Sequence, residues 1–199
     1  EEMLHRIKEL LQSTIDTHVS FALPFIGTFH ALAVHILRAH APYIGRERNF
    51  VIFDKDDSLS LIKEINKALH IDPKQLPPGM ALHVISGLKN ELKTPEQYIN
   101  ETQGSDLFSH RLHQTYQQYQ ERLRTANAMD FDDLLVNVNT LFDAHPNILE
   151  AYQHRFRFIH VDEYQDTNHS QYQFVKKLAA RFRNIAVVGD DAQAIYRFR

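Results

Sequence analysis

Two short apolar runs in the last third of the chain each stop at a cluster of acids and amides. Phe156-Arg157-Phe158-Ile159-His160-Val161 leads into Asp162-Glu163-Tyr164-Gln165-Asp166, and residues 185–188 lead into Gly189-Asp190-Asp191-Ala192-Gln193. Carboxylates at the end of an apolar strand suit one kind of chemistry. The first acid, Asp162, can hold magnesium through a bound water, because this hard cation keeps most of its hydration shell. The second, Glu163, can orient or deprotonate a water that attacks the γ-phosphate of a nucleotide. A Gln at the end of a neighbouring strand, here Gln193, can hydrogen-bond that phosphate and register its presence. A plainer explanation stays open beside this one: Asp and Asn favour turns and cap helices, so Asp166 or Asn168 can be simple caps.

Such residues meet only if the elements before them bring the strand ends together. Residues 168–182 carry Tyr172, Val175, Leu178, Ala179 and Phe182 in helical register between the two apolar runs. Strand, helix and strand within about 35 residues make a βαβ unit with parallel strands and a right-handed crossover. Parallel strands place their carboxyl ends at one edge, where open α/β sheets bind ligands.

The chain upstream is patterned differently. Residues 28–40 place Phe29, Leu32, Ala33, Ile36 and Leu37 on one helix face behind Thr28 as N-cap, and residues 21–27 read as a short buried strand. Asp54 to Asp57 start a helix with Leu59, Ile62, Ile65 and Leu69 inward, and Pro73, Pro77, Pro78 and Gly79 mark a loop. Residues 80–92, 106–125 and 130–142 read as further helices. The second of these has Phe108, Leu112, Tyr116, Tyr119 and Leu123 on one side, and the third has Phe131, Leu134, Leu135, Val138 and Phe142. Pro146 suits the first turn of the next helix. The fold expected is α/β, a partial parallel sheet with a large all-helical insertion. Its parts are residues 1–30, an insertion over 31–156, and residues 157–199.

Composition narrows the function classes. The 199 residues are 43% hydrophobic, enough for a core, and the net charge of −3 gives no global attraction for nucleic acid, so any such binding needs a local basic patch. With no cysteine, disulfides and thiolate metal sites are excluded, which fits a reducing, cytoplasmic setting. No segment approaches the run of about 18 apolar residues that a membrane span needs. The histidines lack zinc-like spacing with acids. None of the six glycines is followed by Lys, so the Gly-Lys-Ser/Thr cradle that completes a phosphate site does not occur in these residues. Glu1-Glu2 ahead of Met3 reads as part of a longer chain.

Val161-Asp162-Glu163-Tyr164-Gln165-Asp166-Thr167-Asn168, followed by Val188-Gly189-Asp190-Asp191-Ala192-Gln193-Ala194-Ile195-Tyr196-Arg197-Phe198-Arg199, closely resembles two adjacent motifs of the UvrD/Rep family of superfamily-one DNA helicases. Gly27-Thr28-Phe29-His30-Ala31-Leu32 resembles a third motif, and Met129-Asp130-Phe131-Asp132-Asp133-Leu134-Leu135 a weaker fourth. The order and spacing match across essentially the whole chain. The resemblance implies a RecA-like domain of the P-loop NTPase type, without its P-loop here, and an accessory helical subdomain inserted into it. It implies that Asp162 is the magnesium-associated acid of the Walker B motif and Glu163 the catalytic base. Gln193 would be the γ-phosphate sensor, with Asp190 and Gln165 supporting the nucleotide site. Thr28 and His30 would contact the DNA backbone. Tyr196 and Phe198 would stack on single-stranded bases, Phe198 where relatives often carry Trp, with Arg199 near the strand.

The partners so implied are ATP with Mg2+, single-stranded DNA, and duplex DNA against basic residues such as Arg38, Arg46, Arg48, Lys63 and Lys67. The 199 residues alone would hydrolyse ATP negligibly. Plainer alternatives remain for each: an ordinary surface histidine at 30, core aromatics at 196 and 198, a capped amphipathic helix over 130–135, and a solvated face for the lysines and arginines. The alternative of another class is a non-catalytic DNA-binding or protein-interaction module that keeps the helicase fold.

Overall fold

The computed structural model describes residues 24–102, 106–190 and 192. Helix α1, Phe29–His40, begins at Thr28, whose Oγ1 accepts the Ala31 amide at 3.2 Å. It buries Ala33, Ile36 and Leu37, and a 3-10 turn over Ala41–Ile44 ends at Gly45, where φ is +65°. Strand β1, Val51–Phe53, precedes α2, Lys55–Ala68. Helices α3, Pro78–Asn90, α4, Pro95–Glu101, and α5, Leu107–Thr125, follow. Strand β2, Ala128–Asp130, runs directly into α6, Phe131–Ala144, and then α7, Pro146–Arg155. The C-terminal part is β3, Ile159–Val161, a 3-10 turn over Tyr164–Asp166, α8, His169–Ala179, and β4, Ile185–Val187.

The helix starts are chemically marked. Reciprocal capping boxes form at Asp54/Asp57, Thr94/Gln97, Asp130/Asp133 and Asn168/Gln171, each satisfying two otherwise orphaned backbone donors. Pro78, Pro95 and Pro146 occupy first helical positions, where a missing N–H costs nothing.

Buried side chains gather in two clusters. One joins α1, α6, α7 and α8 through residues such as Ile36, Leu135, Phe142, Tyr152 and Phe174. The other joins α2, α3, α4 and α5 through Ile62, Ile65, Ile85, Tyr98, Leu112 and Tyr119. Strand β2 lies between them: Ala128 belongs to the second cluster and Met129 to the first. Alternating strand residues face opposite sides, so three residues suffice to connect two cores. Each fully buried Leu or Ile contributes roughly 1.5–3 kcal/mol through removal from water.

The mixed helix-and-strand class matches the α/β expectation. β3 and β4 pair in parallel, Ile159 opposite Ile185 and Val161 opposite Val187, as the strand–helix–strand spacing implied. Several expectations need correction. The stretch between α1 and α7 is not purely helical, because β1 and β2 form a second parallel pair, Val51 opposite Ala128 and Phe53 opposite Asp130. Both are three residues long, too short to show a period of two. Of residues 21–27, only 24–27 are described, and they form no strand; Pro24 has no amide to offer a neighbour. Pro78 and Gly79 start α3 rather than ending a loop. Phe131, at the first position of α6, is 53% exposed instead of inward, while Leu134 and Leu135 are buried. Phe174, absent from the expected α8 face, is fully buried, while Tyr172 is 40% exposed. No helix among the described residues is long and apolar enough to cross a membrane.

Candidate functional site

The parallel pairing of β3 and β4 brings their carboxyl ends side by side. The ladder continues past the strands: Val188 N donates to Val161 O at 2.8 Å, and Tyr164 N donates to Val188 O at 2.9 Å. Asp162 and Glu163 therefore leave the sheet next to Gly189 and Asp190. Both acids are exposed. Asp162 Oδ1 accepts the Glu163 amide at 2.9 Å, and Glu163 takes the left-handed conformation with φ +52°. A non-glycine residue rarely adopts this conformation without a reason in its surroundings.

The reason here is a bridge. Gln165 Nε2 donates to Glu163 Oε2 at 2.6 Å, and Gln165 Oε1 accepts the Asp190 amide at 3.0 Å. One carboxamide thus links the acid at the end of β3 to the backbone after β4. Space for it depends on Gly189: a Cβ there would lie 2.8 Å from Gln165 Oε1 and 3.2 Å from Gln165 N. Asp190 Oδ1 in turn accepts the Ala192 amide at 3.0 Å. The turn closes with Thr167 Oγ1 donating to Tyr164 O, and Asn168 then caps α8 by accepting the Gln171 amide at 2.9 Å. The capping role left open for Asn168 is real. Asp166, by contrast, sits within the 3-10 turn.

Chemically, this edge offers hard carboxylate oxygens with open access to solvent. Among the described residues no group of three metal-ligating side chains assembles. One or two carboxylates completed by water fit magnesium, which keeps several waters, better than zinc, which takes three or four protein ligands.

The second candidate region is the start of α1. Thr28 is the cap and shares a groove of about 130 Å³ with Phe158, His160 and Val161, one residue before Asp162. His30 points elsewhere, its ring packed edge-on against Phe131 with centroids 5.9 Å apart. Burial lowers the His30 pKa below its ordinary value, so the imidazole is neutral at pH 7 and can serve as a hydrogen-bond donor without charge. The sequence alone does not mark Phe131 as a site residue, since an aromatic at helical spacing reads as core. Gln193, Tyr196, Phe198 and Arg199 lie outside the described residues.

A buried ion cluster forms around Asp130 and Asp133, on either side of Phe131 in the chain. Lys89, fully buried at the end of α3, places Nζ 2.7 Å from both Asp130 Oδ2 and Asp133 Oδ1. Tyr119 OH donates to Asp130 Oδ2 at 2.8 Å and Gln120 Nε2 to Asp133 Oδ1 at 3.0 Å. Burial pushes the Asp130 carboxyl up, but Lys89 and the hydrogen bonds it receives outweigh this and hold it below the ordinary carboxylate value. Asp133 is raised, by burial and by its neighbour Asp130. Of the basic residues expected to face duplex DNA, Arg38 is exposed but bonded within the chain, donating to Arg48 O at 2.7 Å and lying 4.5 Å over the Phe50 ring. Lys63 and Lys67 are exposed on α2.

The family described as UvrD/REP helicase N-terminal domain matches residues 1–199, the whole chain. The chain belongs to this family. Among similar proteins, an ATP-dependent DNA helicase PcrA of Staphylococcus epidermidis is 48% identical over 175 residues, covering 88% of this chain and 24% of that protein. An ATP-dependent DNA helicase PcrA of Staphylococcus aureus is 44% identical over 198 residues, covering 100% of this chain and 26% of that protein. The chain thus spans about a quarter of the length of the curated relatives it matches.

Proposed function

We propose that the full-length protein is an ATP-dependent DNA helicase that couples ATP hydrolysis to translocation on single-stranded DNA and to duplex unwinding. Residues 1–30 and 157–199 belong to its first RecA-like domain, with 31–156 as a helical insertion. The observation that carries this reading is the Gln165 bridge, which orients the Glu163 carboxylate from the neighbouring strand at the exposed edge. Membership of the family and its similarity to proteins named ATP-dependent DNA helicases support it.

In this reading Asp162 holds magnesium through water, and the ion when bound neutralises phosphate charge. Glu163 orients the attacking water and accepts its proton, held in place by Gln165. Asp190 supports the Gln165 carboxamide. Gln193 contacts the γ-phosphate and passes its state to Tyr196 and Phe198, which stack on bases, with Arg199 beside the strand. Thr28 and His30 contact the DNA backbone as uncharged donors. Phe131, exposed against His30, adds a further base-stacking surface. The phosphate cradle comes from outside residues 1–199, which alone bind nucleotide poorly and single-stranded DNA weakly.

The test is ATP hydrolysis by the full-length protein with and without single-stranded DNA, together with strand separation on a tailed duplex. Hydrolysis stimulated about tenfold or more by DNA, and unwinding that requires ATP, are expected. DNA binding with no hydrolysis would instead identify a non-catalytic module that keeps the helicase fold.

A further inference from the structure

The last two residues of α3 hold two different neighbours. Lys89 binds Asp130 and Asp133 at the start of α6, each at 2.7 Å. Asn90 Oδ1 accepts a 2.6 Å hydrogen bond from Asn168 Nδ2. Asn168 is the N-cap of α8, and it lies six positions after Asp162. Its Oδ1 accepts the Gln171 amide and the Ser170 hydroxyl, both at 2.9 Å. Both ends of its carboxamide are therefore committed, and its side chain has one orientation.

Capping alone does not require this arrangement. Asp caps a helix as well as Asn does, and its charge is favoured at a helix N-terminus. What Asn adds is a donor, and Asn90 takes it. The contact joins two parts that otherwise bury separate cores, since α3 packs in the α2–α5 cluster and α8 in the other. The segment 162–167 is held at one end by the β3–β4 ladder and at the other by Asn168. Lys89, one residue earlier, fixes the α3 terminus through a buried ion cluster, so Asn90 is presented from a rigid support.

We propose that Asn90 is a positioning residue for hydrolysis: it holds Asn168, and through it the 162–167 turn, in register with the helical part of the molecule. The inference rests on the reading of Asp162 and Glu163 as the hydrolytic acids. Asn90 touches no substrate; it acts through Asn168.

The experiment uses the full-length protein and follows kcat and KM for ATP in the presence of single-stranded DNA. Asn90→Leu removes the acceptor and should lower kcat about five- to tenfold with KM changed less than about twofold. Asn90→Asp keeps the acceptor and should restore kcat to within about twofold of wild type. Asn168→Asp alone is met by a turned Asn90 amide and should also stay near wild type. Asn90→Asp combined with Asn168→Asp sets two carboxylates against each other and should lose at least as much as Asn90→Leu, far beyond the sum of the single changes. Additive single effects, an Asn90→Leu protein with wild-type kcat, or a loss that Asn90→Asp fails to restore would each overturn the proposal. An active wild type with unaffected Asn90→Leu overturns this inference alone. A wild type without DNA-stimulated hydrolysis overturns the functional reading, and the inference with it.

Discussion

Gln165 donates to the Glu163 carboxylate across 2.6 Å while accepting from the backbone of Asp190 at 3.0 Å. The acid at the end of one strand is thereby aimed by a side chain anchored on the next. Glu163 keeps a left-handed backbone, which costs a non-glycine residue about 1 kcal/mol or more, so the surrounding bonds must hold it there. Under the proposed function, pre-orientation of this kind would fix the base before its substrate arrives, which is where an enzyme gains from rigidity.

Gln165→Leu removes both bonds while keeping the bulk. In the full-length protein it should lower the kcat for ATP hydrolysis about tenfold, corresponding to the loss of one charge-assisted hydrogen bond. The melting temperature should move by no more than a few degrees, because the site is exposed. Steady-state kinetics beside a thermal melt check both parts.

Gly189→Ala tests the same bridge from the other strand. Its Cβ would meet Gln165 Oε1 at 2.8 Å and must displace the carboxamide. The loss of kcat should resemble that of Gln165→Leu, and the double variant should be no worse than either alone. Independent, multiplying losses would show that Gly189 matters for another reason.

Lys89→Met leaves Asp130 and Asp133 buried without their cation. Breaking a buried pair in this way costs about 3–5 kcal/mol, enough to lower the melting temperature by roughly 10 °C in a domain of this size. The pH dependence follows from the same cluster. Burial disfavours the Lys89 cation, but Asp133 and Asp130 outweigh it and raise the group above 10.5. A raised lysine stabilises fully below its unfolded value and loses that contribution as pH rises beyond it. Tyr116, pushed up to about 12 chiefly by burial, acts in the same direction. Chemical denaturation should therefore show stability falling above about pH 10, and a rise over that range would contradict the cluster's role.

Much of this was legible in the chain because local chemistry and fold agree. Thr28, Asp54, Asp106 and Asn168 stand where helices start, and each caps one. The β3–α8–β4 spacing implied parallel strands, and the pairing follows it. What stayed hidden was long-range. β1 and β2 are three residues each and are defined by one another, not by a pattern of their own. Nothing in the sequence singles out Lys89; Asp130 and Asp133, more than forty positions away, close on it only in the fold. Phe131 fits the apolar spacing of α6, and only the position of the helix against its core shows that the ring is outside. Asp162, Glu163, Gln165 and Asp190 are all site candidates in the sequence, but spacing does not give the order in which they bond.

The aromatic face makes its own prediction. Phe131→Ala should weaken single-stranded DNA binding by about 1–2 kcal/mol, roughly tenfold, with little dependence on base sequence. His30→Ala should weaken it less at pH 7, since the buried imidazole is neutral. Lowering the pH through its depressed pKa adds a charge, so the difference between wild type and His30→Ala should grow in acid. Fluorescence anisotropy with labelled oligonucleotides at two pH values resolves these cases.

The most direct measurement is made on Glu163→Gln in the full-length protein. The substitution keeps size and hydrogen bonding but removes the carboxylate proposed as the base. ATP affinity should stay within about threefold of wild type while single-turnover hydrolysis on DNA falls by about a hundredfold or more. Hydrolysis close to the wild-type rate would contradict the assignment of Glu163 as the base, and with it the role given to the strand end.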